Sequence, residues 1–294
     1  MTEGNPAKGL LLALCGFAML SIGDAIIKTI GGVWPGTAVA ALRYCLGATG
    51  LAILLWRTEG VAGFTMPMPK VQLLRGFSVA VATIAFFSSI FLMPLAEATA
   101  IVFIGPLITA MISHIWLNER AGRATWIAAS IAFVGVLIIV RPNFAVLGVA
   151  ALLPLAAAAG MAFMMIGNRK VAGAASPLQM QFLIAVIAAP ILVIAAIVGQ
   201  LSGISRLHVG LPDWTIILRC AIVAVTATCS HWLVYLGTTK ASAAQIAPMV
   251  YVQILVALLL GFIVFGDRPD MISLGGSALI VAAGLGLWMV QRRA

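Results

Sequence analysis

Lys28-Thr29-Ile30-Gly31-Gly32-Val33-Trp34-Pro35 and Lys170-Val171-Ala172-Gly173-Ala174-Ala175-Ser176-Pro177 share the pattern K-x-x-G-x-x-x-P at a spacing of 142 residues. Leu74-Arg75 is answered 144 residues later by Leu218-Arg219. Glu119-Arg120 is answered 148 residues later by Asp267-Arg268, each pair following a long apolar run. A drift from 142 to 148 needs only small loop insertions. One internal repetition at about half of the 294 residues predicts two related units, 1–142 and 143–294, with a ligand site between them.

The composition places those units in a membrane. Hydrophobic residues make up 63% of the chain and charged residues 9%, against about 25% charged in soluble domains. The mean hydropathy is +1.16. A β-barrel would show alternating segments of about ten residues, whereas the apolar runs here are continuous, so the spans are read as helices. Cys15, Cys45, Cys220 and Cys229 all fall inside apolar runs, at spacings that fit no metal site or disulfide framework. No metal or other cofactor is expected. The net charge of +9 is scattered at helix ends, which marks membrane topology and not a nucleic-acid surface. The first apolar run, 9–30, is preceded only by Lys8 and exceeds a signal-peptide core, so it is read as a retained membrane helix.

Ten helices are expected near 9–30, 36–56, 72–92, 94–117, 123–140, 146–167, 178–199, 214–235, 241–265 and 271–291. Each is close to the roughly 20 residues that cross about 30 Å of hydrocarbon at 1.5 Å per residue. Pro35, Pro94, Pro142, Pro177 and Pro212 fall at or near the breaks, where a missing N–H costs little. With the N-terminus in the cytoplasm, the inner side collects Lys8, Arg57, Lys70, Arg75, Arg120, Arg123, Arg169, Lys170, Lys240, Arg292 and Arg293. The outer side collects Lys28, Arg141, Arg206, Arg219 and Arg268. This excess predicts that both termini are cytoplasmic. Five helices per half is an odd number, so the second half enters the membrane upside down. The expected fold is an all-α polytopic membrane protein of two inverted five-helix repeats, an arrangement suited to alternating access. Gly9, Gly16 and Gly23 recur every seven residues and predict a smooth packing face on helix 1.

A family becomes recognisable at the end of each half. Pro94-Leu95-Ala96-Glu97-Ala98 opens helix 4, Gly105-Pro106-Leu107 sits inside it and Leu117-Asn118-Glu119-Arg120 closes it. Helix 5 ends Gly135-Val136-Leu137-Ile138-Ile139-Val140-Arg141-Pro142. In the second half, Ala247-Pro248-Met249-Val250-Tyr251-Val252-Gln253-Ile254 leads to Phe265-Gly266-Asp267-Arg268-Pro269. The chain resembles the drug/metabolite transporter superfamily, in its ten-helix EamA branch, over essentially its whole length. The resemblance implies a secondary carrier of small metabolites in the inner membrane. Many such carriers export amino acids or related compounds, and others import S-adenosylmethionine or riboflavin.

Ionisable groups within the membrane are costly, so each is a functional candidate. Asp24 and Lys28 share a face of helix 1 at i, i+4, Arg43 lies in helix 2 and Glu97 begins helix 4. These four charges sum to zero. They form either a structural ion-pair cluster or an outer gate whose pairing changes with conformation. A carboxylate away from water can take up a proton and so couple transport to a proton gradient; Asp24 is the first choice for that role and Glu97 the second. Asp24 and Arg43 have no charged match at the equivalent Ile166 and Ala185. On helices 8 and 9, His231 and Tyr235 share a face, and Gln245, Tyr251 and Gln253 need partners away from lipid. Pro106 and Pro248 distort their helices and permit irregular backbone beside a cavity. Phe86, Phe103 and Phe163 are candidate cavity-lining rings.

The leading function is therefore a secondary active transporter of a small metabolite, an amino acid or related compound moved outward, with protons as the candidate coupling ion. A vitamin or S-adenosylmethionine-like importer is the alternative within the family, and a channel the alternative from another class. A membrane enzyme would need a metal or nucleophile constellation, and His114, His208 and His231 are scattered. No phosphate-binding loop for ATP is present in the sequence. The expected partners are the substrate and the lipid bilayer, with no nucleic acid. The chain is expected to act as a monomer or homodimer.

Overall fold

The computed structural model describes residues 6–30, 33–92, 101–118, 122–140, 152–260, 262–263 and 270–293. Their regular structure is helical, with no strand among the described residues. The helices are α1 (Pro6–Lys28), α2 (Gly36–Glu59), α3 (Pro69–Leu92), α4 (Gly105–Leu117), α5 (Arg123–Val140), α6 (Leu152–Lys170), α7 (Pro177–Leu201) and α8 (Trp214–Thr238). They are followed by α9 (Ala243–Leu260) and α10 (Met271–Arg293). Seven of these helices are long and apolar enough to cross a membrane; α4, α5 and α10 carry shorter apolar stretches. The expected starts of the fourth and sixth helices, 94–100 and 146–151, lie outside the described residues.

The second copy of the repeated motif reads as a helix stop followed by a helix start. Gly173 takes a φ of +80°, open to glycine at no steric cost, and turns the chain after α6. Ser176 then caps α7 by accepting from the Gln179 amide at 3.0 Å, and Pro177 occupies the first turn, where its missing N–H is not needed. Pro35 precedes α2 in extended conformation, and Gly31 lies outside the described residues.

The backbone is irregular around Pro248 and just before Pro106. α9 starts with a Ser242–Gln245 capping box, tightens into a 3-10 stretch at Ala247–Tyr251 around Pro248, and resumes as an α-helix at Val252. In the other half, Phe103 and Ile104 form a turn before α4, with Pro106 in that helix's first turn. Pro106 and Pro248 stand 142 residues apart, the spacing of the opening motif.

Helix pairing follows a regular scheme. α1 lies along α8, and α6 along α3; α9 packs on α1, and α4 on α6; α8 touches α2, and α3 touches α7. The remaining large contacts are α2 with α7 and α5 with α10. Glycine sets the closest of these. A Cβ on Gly16 would sit 2.8 Å from the Ser230 carbonyl oxygen and 2.9 Å from Val234 Cγ2. A Cβ on Gly9 would sit 3.0 Å from the Gly237 carbonyl oxygen and one on Gly23 3.0 Å from Thr226 Oγ1, so the glycine stripe is the seam between α1 and α8. A Cβ on Gly160 would lie 2.7 Å from the Ser78 carbonyl oxygen in the α3–α6 seam. Gly16→Leu forces these backbones apart and is expected to cost about 1–3 kcal/mol. Thermal unfolding in detergent checks this, and an unchanged melting temperature would contradict the seam.

The face where α1 begins, here the terminal face, also gathers the start of α3, the end of α6, the start of α7 and the end of α8. The opposite, far face holds the end of α1 and the start of α8, where the Trp34 indole N–H donates to the Gly210 carbonyl at 2.9 Å.

Candidate functional site

A cavity of about 360 Å³, including its open mouth, lies between α2, α7 and α8. Its polar lining is Arg43 and Tyr44 from α2, Gln181 from α7, and Thr228 and His231 from α8. Leu51, Ile184, Ala185, Ala224 and Ala227 supply the apolar wall. Of the residues singled out from sequence, Arg43 and His231 meet here. Tyr44, Gln181 and Thr228 were not singled out, although the argument that a buried amide needs a partner applies to Gln181 as fully as to Gln245. The Arg43 guanidinium stands 5.0 Å from the Tyr44 ring centroid, in cation–π range. The Gln181 side-chain amide donates to the His231 carbonyl at 3.3 Å and ties α7 to α8 beneath the cavity. A Cβ on Gly47 would meet only Thr228 Oγ1, at 3.8 Å.

Asp24 is exposed on α1, one turn before the helix ends at the far face. The Arg43 charge reaches it, but no hydrogen bond or ion pair joins the two. Asp24 and Arg43 therefore act on each other at a distance and not as a contact pair. The Lys28 side chain and Glu97 lie outside the described residues.

On the terminal-face side of the cavity is a group that composition alone assigned to topology. Arg75, counted among the inner-side loop charges, is fully buried seven residues into α3. Its Nε donates to Asn168 Oδ1 at 2.8 Å, and its Nη1 to Gln72 Oε1 and, at 3.5 Å, to Met180 Sδ. Its guanidinium lies 5.7 Å from the Tyr235 ring centroid, while its Nη2 has no partner. These neighbours come from α3, α6, α7 and α8. Two further links cross the same end: the Tyr235 hydroxyl donates to the Val171 carbonyl at 3.2 Å, and Arg169 Nη1 donates to the Thr238 carbonyl at 2.9 Å. The repeat-equivalent arginine, Arg219, is at the far face, where it donates to the Thr29 carbonyl at 3.0 Å. Each arginine thus reaches from α3 or α8 to the end of its paired helix, α6 or α1.

The remaining candidates have packing partners. Tyr251 is buried and donates to the Phe103 carbonyl at 3.0 Å, with the two rings 5.8 Å apart. That carbonyl is free because Leu107 N bonds to Ile104 instead. Phe163 lies against Trp116 at 5.5 Å and Phe86 against Phe87 at 6.2 Å. None of these rings lines the cavity. Gln245 accepts from the Ser242 amide at 2.9 Å in the cap of α9 and is absent from the cavity lining. Gln253 is half-buried, and its backbone carbonyl accepts from Ser21 at 3.0 Å. Among the described residues, no group of histidine, cysteine or carboxylate side chains could hold a metal ion.

Known proteins share this architecture. A solved crystal structure superposes with a TM-score of 0.81 at 19% identity, covering 97% of this chain and 99% of that one, which establishes the fold. The pseudopaline exporter CntI of Pseudomonas aeruginosa (strain UCBPP-PA14) is 26% identical over 286 residues, 95% of each chain. A riboflavin transporter of Vibrio cholerae is 24% identical, covering 94% of this chain and 91% of its own. An S-adenosylmethionine uptake transporter of Rickettsia bellii is 24% identical over 77% of this chain and 75% of its own. These relatives are transporters of small molecules, and the apolar helices make this chain a multi-pass membrane protein like them. The EamA-like transporter family matches residues 7–141 and again 148–289. The chain belongs to the EamA-like transporter family.

Proposed function

We propose that the protein is a secondary active transporter that moves a small metabolite, an amino acid or related compound, out of the cell across the inner membrane by alternating access. Its working units are the halves 1–142 and 143–294, inserted in opposite senses, with both termini in the cytoplasm. The observation that carries this reading is the helix pairing. Exchanging each helix of the first half with its counterpart five positions on turns α1–α8 into α6–α3, α1–α9 into α6–α4 and α2–α8 into α7–α3, and leaves α2–α7 and α5–α10 as they are. Two matches to one family, one per half, support the same reading. Alternating access needs such halves, because exchanging their conformations converts a cavity open to one side into a cavity open to the other.

The cavity sits where the self-paired α2 and α7 meet α8, so it contains residues of both halves. The terminal face is cross-linked around Arg75 and Tyr235, which supports a state closed toward the cytoplasm. The similarity to an exporter supports the export reading. The importer reading draws on the S-adenosylmethionine uptake transporter.

The test is transport in reconstituted vesicles across amino acids, vitamins and nucleosides, with Gly47→Leu as the control. Gradient-driven movement of a solute class is expected, with its loss in Gly47→Leu, because that side chain fills the cavity beside Thr228. Steady ion conductance without solute movement would replace the carrier with a channel.

A further inference from the structure

We propose that Arg43 is the docking point for an anionic group, a carboxylate or phosphate, on an otherwise largely apolar substrate. This rests on the carrier reading. Arg43 presents a guanidinium to an open cavity at mid-bundle. Its one close partner is the Tyr44 ring, and no hydrogen bond or ion pair engages its five donors among the described residues. A guanidinium held over an aromatic ring keeps its fork free for the paired oxygens of a carboxylate or phosphate. A cation left in this state within a membrane is costly, and such groups persist where they meet a ligand or a counter-charge.

Neutral hydrogen-bonding groups, Thr228 and Gln181, line the same cavity.

The broken repeat defines the other side. The counterpart of Arg43 is Ala185, which lines the same cavity together with Ile184 and Leu51. One copy of the position therefore offers a charge and the other an apolar wall. That asymmetry fits a molecule that carries an anionic group beside an apolar body.

The test follows the reaction of Arg43 with phenylglyoxal by peptide mass spectrometry, in the intact protein in phosphatidylcholine vesicles. Benzoate and inorganic phosphate are compared with benzamide at matched ionic strength. Occupancy divides the free-site fraction by 1 + [L]/Kd, so an anion at roughly ten times its Kd is expected to slow modification about tenfold, with no effect of benzamide. Equal modification with and without the anions would overturn the proposal. So would an unreactive Arg43 in the absence of any added anion, which would assign its fork to Asp24. Protection by phosphatidylglycerol vesicles alone would overturn it too, by giving the site to a lipid headgroup. Transport with no protection removes the anion site and leaves the carrier; protection with no transport of any solute removes the carrier and leaves the site.

Discussion

Arg75→Ala is expected to open the cavity toward the cytoplasm. A cysteine placed at Thr228, with Cys15, Cys45, Cys220 and Cys229 replaced, should react with a membrane-impermeant maleimide at least about tenfold faster from the cytoplasmic side. Arg75 bonds Asn168 on α6 and Gln72 on its own helix. Hydrogen bonds to a charged group contribute about 1.5–3 kcal/mol each, and each 1.4 kcal/mol is roughly tenfold in population. Removing the side chain also strands two amide oxygens, on α3 and α6, and opens a space beside Tyr235. Against this, placing an arginine in the membrane costs about 2.5–3.5 kcal/mol on insertion scales, so its removal does not weaken the fold as a whole. The loss falls on the conformation that uses the four-helix contact. Labelling that rises equally from both sides would indicate general loosening and sink this role. Arg75→Lys keeps the charge without the fork, and partial restoration is expected.

Asp24→Asn is expected to abolish substrate accumulation against a gradient at every pH, while exchange of labelled for unlabelled substrate continues. Asp24 is the one described carboxylate that feels Arg43, and it is exposed near the far face. A carboxylate there that takes up a proton changes the field on Arg43 and so couples protonation to the engagement of the guanidinium by substrate. The amide keeps the shape and removes the proton site. Accumulation at wild-type level in vesicles with an imposed pH gradient would show that Asp24 is only a surface charge.

Most of the helix boundaries were legible because membrane helices announce themselves by length and by proline and glycine at their ends. The K-x-x-G-x-x-x-P copies were the clearest case, since Gly173 and Pro177 act within a few residues of each other. The break in α9 was equally readable from Pro248. The site was harder. Arg75 lies six residues after Pro69, and its short distance from Lys70 made it look like one more loop charge. Its partners come from α6, α7 and α8, at separations of about a hundred residues and more, so only the folded bundle reveals them. Its repeat mate Arg219 was a hint, because an arginine kept at one position of both halves on opposite faces is not explained by topology. Thr228 and Gln181 are uncharged residues in apolar helices, and nothing local separates them from packing. Gln245 showed the reverse: the capping-box spacing from Ser242 to Gln245 was a local signal that outranked its apparent place in the membrane.

In alternating access the two halves exchange roles, so that one face opens as the other closes. Double electron–electron resonance in nanodiscs tests it most directly, with spin labels at Lys70 and Lys240 on the terminal face and, in a second sample, at Val33 and Leu211 on the far face. Two distance populations are expected for each pair, with opposed weights: in Arg75→Ala the terminal-face pair should lengthen while the far-face pair shortens. A single unchanged distance for both pairs, or both lengthening together, would contradict alternating access in this protein.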